Sequence, residues 1–178
     1  MIPIKSEEDI KMIKKSGKTL SKIIRKLQKF VRKGVTTVEI DRVAEKLIKD
    51  ENVISAFKGY NGFPSNICTS VNEEIVHGIP GEKMLNDGDI LSLDIGINYK
   101  GYFSDAAITI PVGRIDPKLQ KLIDVTRSAL SEGIKQAQVN NHLSDISYAI
   151  QTYVERQGFS IVRQFVGHGI GYSLHEDP

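Results

Sequence analysis

Asp94 and Asp105 each lie inside a run of strand-forming residues, Ile90-Leu-Ser-Leu-Asp-Ile-Gly-Ile97 and Tyr102-Phe-Ser-Asp-Ala-Ala-Ile-Thr-Ile110. Aspartate is depleted from strands, so both positions call for a reason. In the first run Leu91, Leu93, Ile95 and Ile97 alternate onto one face and leave Ser92, Asp94 and Gly96 on the other. A two-residue turn at Tyr99-Lys100 sets Asp94 directly opposite Asp105, and a three-residue turn shifts the register by one and keeps them neighbours. Two ionised carboxylates facing each other cost roughly 0.2–1 kcal/mol on a wet surface, and more when buried. A divalent cation between them offsets that cost, and such a pair can bridge two cations about 4 Å apart. The plainer alternatives are a solvent-facing pair, or one proton retained because each carboxyl raises the other's pKa.

Four histidines accompany the aspartates. His142 falls between two predicted helices and reads as a solvated loop residue. The other three sit in glycine-rich or apolar settings: Val76-His77-Gly-Ile-Pro80, Gly167-His168-Gly169 and Leu174-His175-Glu176. Glycine on both sides of His168 lets backbone and a ligand approach closely. A neutral imidazole is a common ligand for borderline divalent metals. One such histidine is more often structural than ligating; three beside an aspartate pair point to a site.

The elements that must position these groups follow from periodicity. Ser6-Glu-Glu-Asp9 opens a helix with acids in its first turn, and Ile10, Ile13, Leu20, Ile24, Leu27 and Val31 recur at helical spacing before Gly34, a C-cap candidate. Thr36-Thr-Val-Glu39 reads as a capping box for a second helix carrying Ile40, Val43, Ala44, Leu47 and Ile48. Strands are expected at Val53–Phe57, Ile67–Val71 and Ile75–His77, the last two around a turn at Asn72-Glu73, followed by the hairpin of the aspartates. Asp116-Pro117 opens a third helix, Ser144 caps a fourth, and Phe159–Phe165 reads as a strand before the glycine-rich tail. The order helix, helix, strand thus occurs twice. Residues 6–112 form a first structural repeat and 116–178 a partial second one, within a single incomplete domain of α+β class.

The 178 residues are 40% hydrophobic and 26% charged, the balance of an ordinary soluble domain with a real core. No stretch is long and apolar enough to span a bilayer, and no secretory leader follows Met1. A single cysteine, Cys68, cannot close an internal disulfide, which suggests a cytoplasmic setting. The net charge of +2 hides an asymmetry: residues 1–33 carry 11 Lys and Arg against three acids. That basic end is either a solvated helix face or a surface for an anionic partner such as RNA.

With these residues in view, the sequence resembles the type I methionine aminopeptidases of the pita-bread fold. The matching stretches are Asn66-Ile-Cys-Thr-Ser-Val-Asn-Glu-Glu-Ile-Val-His-Gly-Ile-Pro80, Asp87-Gly-Asp-Ile-Leu-Ser-Leu-Asp94, Ser104-Asp-Ala106, Val166-Gly-His-Gly-Ile-Gly171 and His175-Glu-Asp-Pro178. The resemblance implies a pseudo-two-fold arrangement of helices around a curved antiparallel sheet. It implies a metal-dependent aminopeptidase that removes the initiator methionine from nascent peptides whose second residue is small, by attack of a metal-bridging water. Asp94, Asp105 and His168 would be metal ligands for Co, Mn, Fe, Ni or Zn. His77 and His175 would be catalytic, near the scissile peptide and its carbonyl. Phe57, Tyr60, Phe63, Cys68 and Leu174 would shape the methionine pocket together with those two histidines, with Phe57 standing where familiar members have cysteine and Leu174 where they have phenylalanine. Two glutamate ligands of the family lie beyond the equivalent of Pro178, so the resemblance implies one metal or none, and impaired turnover, for the 178-residue chain. The basic first helix would meet ribosomal RNA where nascent peptides emerge. The competing reading is a non-catalytic peptide- or protein-binding module on the same fold, and a proline-dipeptide hydrolase is a third.

Overall fold

The computed structural model describes residues 2–178. It divides into two compact units, one of residues up to Ile115 together with His168–Pro178, the other of Asp116–Gly167.

In the first unit, α1 spans Glu7–Phe30 and α2 spans Thr37–Asp50. Both start at a reciprocal capping box, Ser6 with Asp9 and Thr36 with Glu39. Each hydroxyl accepts an N–H that the helix leaves unpaired, and each acid accepts the cap's own N–H. The first helix ends at Val31, four residues short of Val35; Gly34 is a turn residue at φ +84°, and its N–H donates to the Leu85 carbonyl at 2.8 Å. Gly34 is therefore not the helix cap that the sequence suggests.

Four strands form one antiparallel sheet: β1 (Ile54–Ser55), β2 (Cys68–Val71), β3 (Ile90–Tyr99) and β4 (Tyr102–Pro111). β4 runs along one edge of β3, while β2 and the short β1 share the other. The alternation in β3 is as expected: Leu91, Leu93, Ile95 and Ile97 are fully buried and pack with Ile23, Leu27, Ile40 and Leu85 in one core. Ser16 of α1 and Ser104 of β4 share a buried hydrogen bond of 2.7 Å inside that contact. The opposite face of the sheet carries Cys68, Asp94, Gly96 and Asp105.

The hairpin register differs from expectation. The turn residues are Lys100 and Gly101, at φ +54° and +89°, so Tyr99 pairs with Tyr102. Two positive φ values give the primed turn whose twist matches the flanking strands. Asn98 Oδ1 fixes it by accepting the Gly101 N–H at 2.7 Å. Asp94 then faces Ala107, and Asp105 faces Gly96. Moving the turn by one position shifts the register by two, which preserves the face of every side chain. The aspartates become diagonal neighbours rather than direct partners.

Two other expected strands do not form. Ile75–His77 is loop, with His77 at φ +60°, a backbone state no strand contains. Residues 159–165 pair with no strand among the described residues. Of Val53–Phe57, only Ile54–Ser55 joins the sheet.

The second unit holds α3 (Pro117–Gln136) and α4 (Leu143–Arg156). Asp116 caps α3 ahead of Pro117 by accepting the Lys118 N–H. Gly133 lets Ile146 and Ile150 of α4 press against it. The fourth helix starts earlier than expected, because Asp145 accepts the backbone N–H of His142 at 2.8 Å and so makes His142, not Ser144, the N-cap. His142 is otherwise exposed, as expected. Among the described residues no helix is long and apolar enough to cross a membrane.

Candidate active site on the open face of the sheet

Asp94 on β3 and Asp105 on β4 hydrogen-bond to each other across the diagonal. Burial and then the Asp105 charge raise the Asp94 carboxyl to about 7. Asp105 is also raised, chiefly by burial. Near neutral pH the pair therefore shares a proton, with Asp94 donating to Asp105. One oxygen of Asp105, Oδ1, is buried without a hydrogen-bond partner among the described residues. An orphaned carboxylate oxygen is costly and rare in a folded protein.

The tail brings two imidazoles to this pair. His168 Nε2 stands 3.9 Å from Asp105 Oδ2. Its Nδ1 donates to the Gly169 carbonyl at 2.8 Å, which turns Nε2 toward Asp105. Fixing one imidazole nitrogen by a hydrogen bond is how proteins prepare the other as a ligand. The His175 ring packs against His168 with centroids 4.3 Å apart, and its Nδ1 meets the Tyr60 hydroxyl at 2.8 Å. Desolvation, with His168 and His77 adding to it, lowers the His175 pKa, while Asp105 opposes. A neutral His175 that accepts from Tyr60 at Nδ1 keeps its proton on Nε2, free to donate.

His77 enters through Gly78, which lies flush on β2. The Thr69 N–H donates to the Gly78 carbonyl at 2.8 Å, and the Gly78 N–H to Ser70 Oγ at 3.1 Å. A Cβ on Gly78 would fall 2.2 Å from the Thr69 carbonyl oxygen, so only glycine permits this approach.

The apolar wall is built beside the carboxylates. Cys68 pairs with Asp94 in the β2–β3 register and is buried. Burial first, then the two aspartates, push its thiol up to about 12. It stays protonated and acts as a small apolar surface rather than a nucleophile. The Phe57 ring lies over Gly96, where a Cβ would come 2.6 Å from Phe57 Cε1, and meets Phe63 edge-on at 6.4 Å. Tyr60, on a tight turn at Tyr60–Gly62, covers His175, and Leu174 is buried.

All ten residues singled out from the sequence thus fall in the first unit. Sequence reading missed Gly78 and Gly96, whose missing side chains admit His77 and Phe57. A glycine inside the strongest strand pattern was the available signal for Gly96.

A divalent metal fits the donors present. Two carboxylates that share a proton, an unpartnered Asp105 oxygen and an imidazole nitrogen directed at Asp105 all suit a cation that replaces the proton. Among the described residues no three of His, Cys, Asp and Glu already close into a cage. The carboxylate pair is where such a cation would sit, with His168 beside it.

Comparison with known proteins agrees in sequence and in shape. Residues 11–178 match the model of metallopeptidase family M24. Methionine aminopeptidase 1 of Bacillus subtilis is 48% identical over 178 residues, which is all of this chain and 72% of that protein. Methionine aminopeptidase of Helicobacter pylori is 38% identical over 99% of the chain and 70% of its own length. The crystal structure of methionine aminopeptidase from Thermotoga maritima superposes with a TM-score of 0.97 at 41% identity, over all of this chain and 72% of that one. An Xaa-Pro dipeptidase from Bacillus anthracis gives 0.84 at 26% identity, over 98% of this chain and 48% of that one.

Proposed function

The chain belongs to metallopeptidase family M24, and from that premise we propose that it is a divalent-metal-dependent aminopeptidase releasing N-terminal methionine from peptides whose second residue is small. The observation that carries this reading is the half-buried Asp94–Asp105 pair, with one Asp105 oxygen unpartnered, beside three histidines. The relatives' activity supports the substrate, and the wall of Phe57, Tyr60, Phe63, Cys68 and Leu174 suits a flexible thioether side chain.

In this reading Asp94, Asp105 and His168 hold the metal, drawn from Co, Mn, Fe, Ni or Zn. When bound, it supplies Lewis acidity and a nucleophile at neutral pH. The chain's own residues do the rest. Asp94 and Asp105 give up their shared proton and present two charges. Neutral His175 donates from Nε2 to the scissile carbonyl, held by Tyr60 at its other nitrogen, and so stabilises charge as it develops on that oxygen. His77 hydrogen-bonds the substrate near the scissile peptide from its rigid seat before Gly78. Phe57 and Phe63 exclude water from the side-chain pocket.

The test is methionine release from Met-Ala-Ser with Mn²⁺ or Co²⁺ supplied. We expect exhaustive chelation to remove activity by at least about ten-fold, and the added ion to restore it. Undiminished release after chelation overturns the mechanism. Peptide binding of equal strength with and without cation, and no release, marks a non-catalytic module instead.

The partner and setting belong to the same reading. One free cysteine suits a reducing cytoplasm. Lys14, Lys18, Lys22, Arg25, Lys26 and Lys29 are exposed on α1, and an open concavity of about 430 Å³ is lined by Lys22, Arg25, Lys26, Gln28 and Lys29. Such a face suits RNA phosphate at the ribosome. Reversing the charge at Lys14, Lys18 and Lys22 together should reduce ribosome co-sedimentation several-fold at low salt and leave hydrolysis of free peptide unchanged. Equal co-sedimentation disposes of the contact.

A further inference from the structure

The segment carrying His168 and His175 is closed on itself. Gly169 and Glu176 exchange N–H to carbonyl bonds of 2.8 and 2.9 Å, and these residues are the chain neighbours of the two histidines. That bridge sets the spacing of the imidazoles. It is short, and within the loop the tip is closed by the Gly171 N–H donating to the Ser173 carbonyl at 3.2 Å. Side chains supply the remaining order. Glu176 Oε1 accepts the N–H of Tyr172 and of Ser173, and Glu176 Oε2 pairs with Lys5 Nζ. The two charged side chains are only 15% and 9% exposed. The lysine stem lies so close to Gly171 that a Cβ there would fall 2.3 Å from Lys5 Cε. Lys5 Nζ also stands 4.4 Å above the Tyr172 ring, and the Tyr172 hydroxyl donates to Asp9 of α1 at 2.6 Å. The Phe103 N–H donates to the Gly171 carbonyl at 2.7 Å, which ties the tip to β4 two residues from Asp105.

We infer that Lys5 and Glu176 are positioning residues: their shielded ion pair locks the 168–176 loop so that His168 Nε2 faces Asp105 and His175 meets Tyr60. The inference rests on reading both histidines as site residues. Lys5 and Glu176 act through the backbone that bears the imidazoles. A charge-assisted bond shielded from water is stronger than an exposed one, and losing Lys5 leaves Glu176 without its counter-charge.

The test uses the metal-free, histidine-¹⁵N-labelled chain and long-range ¹H–¹⁵N spectra of the imidazoles. The unaltered protein should show one sharp imidazole pattern for His168, with Nδ1 held as the donor to the Gly169 carbonyl. Lys5→Met should average the His168 and His175 signals between tautomers while the amide signals of β3 and β4 stay in place. Lys5→Arg should restore the single pattern. Glu176→Gln keeps an acceptor for the two N–H groups and removes the charge, so it should repeat the effect of Lys5→Met if that variant folds poorly. Imidazole signals identical to the unaltered protein in both Lys5→Met and Glu176→Gln overturn the inference, whatever happens to Tm. Where turnover is measured with Mn²⁺ on Met-Ala-Ser, kcat of Lys5→Met should fall about ten-fold. The spectra need neither metal nor substrate, so a negative result there counts against positioning alone, and the chelation test judges the peptidase reading separately.

Discussion

Asp94→Asn will make the metal-free protein more stable at pH 8 and at the same time remove its activity. The two effects share one cause. In the folded chain Asp94 titrates at about 7, because it is partly desolvated and lies diagonally beside the Asp105 carboxylate. An unfolded aspartate titrates near 4. The folded state therefore binds the proton more tightly than the unfolded state. Its contribution to stability is fully present below about pH 4 and is lost as pH rises through about 7. Asparagine cannot ionise, yet its N–H can donate to Asp105 as the protonated Asp94 does. At pH 8 the substitution should add on the order of 2–4 kcal/mol to metal-free stability, and the difference should close below about pH 4. Asparagine also offers a cation no charge. Metal-dependent release of methionine should fall by roughly 10²–10⁴-fold, about 3–5 kcal/mol of transition-state stabilisation. Urea melts from pH 4 to 8 in the presence of chelator, beside peptide assays with Mn²⁺, measure both. A variant less stable than the parent at pH 8 would show that the carboxylates carry no mutual strain.

The same aspartates show what a sequence can and cannot disclose. Their common face was legible, because side-chain direction in a strand has a period of two and Leu91, Leu93, Ile95 and Ile97 fill the other face without exception. Their register was not, because it depends on where two residues take positive φ, and Tyr99-Lys100 and Lys100-Gly101 differ by one position in the letters. Helix starts were legible wherever a capping box spelled them, at Ser6 and Thr36; at His142 the cap is a backbone N–H serving Asp145, and residue type gives little warning. Strands at 75–77 and 159–165 were over-read. An apolar run records a wish for burial, whereas a strand exists only through the hydrogen bonds of a partner. At the site, chemistry-bearing residues stood out by type. Those that hold them in place did not: Lys5 and Glu176 are 171 positions apart, and Gly78 and Gly96 work by what they lack.

Gly78→Ala should be a severely damaging single methyl, because it clashes with backbone alone. The added Cβ would sit 2.2 Å from the Thr69 carbonyl oxygen, 2.7 Å from its carbonyl carbon and 2.9 Å from the Ser70 Cα. All three atoms are backbone of β2, so no side chain can swing aside. β2 cannot retreat either, because Cys68, Thr69, Ser70 and Val71 pair with β3 in full register and are buried. The segment at 77–79 must lift instead. That breaks the bond from the Thr69 N–H to the Gly78 carbonyl and the bond from the Gly78 N–H to Ser70 Oγ. Overpacking of this kind and two lost hydrogen bonds together should cost about 2–4 kcal/mol, or roughly 5–15 °C in Tm for a chain of this size. Lifting the segment also shifts His77 relative to His175. A displacement near 1 Å at a substrate-binding group can cost about 10²-fold in rate. Gly81→Ala is the control three residues on, where the nearest atom to the new Cβ is the Ile79 carbonyl oxygen at 4.0 Å. It should leave Tm and kcat/KM within error of the parent. If the two alanine variants melt at the same temperature and hydrolyse Met-Ala-Ser at the same rate, His77 is not held by close contact with β2, and its place in the site must be reassigned.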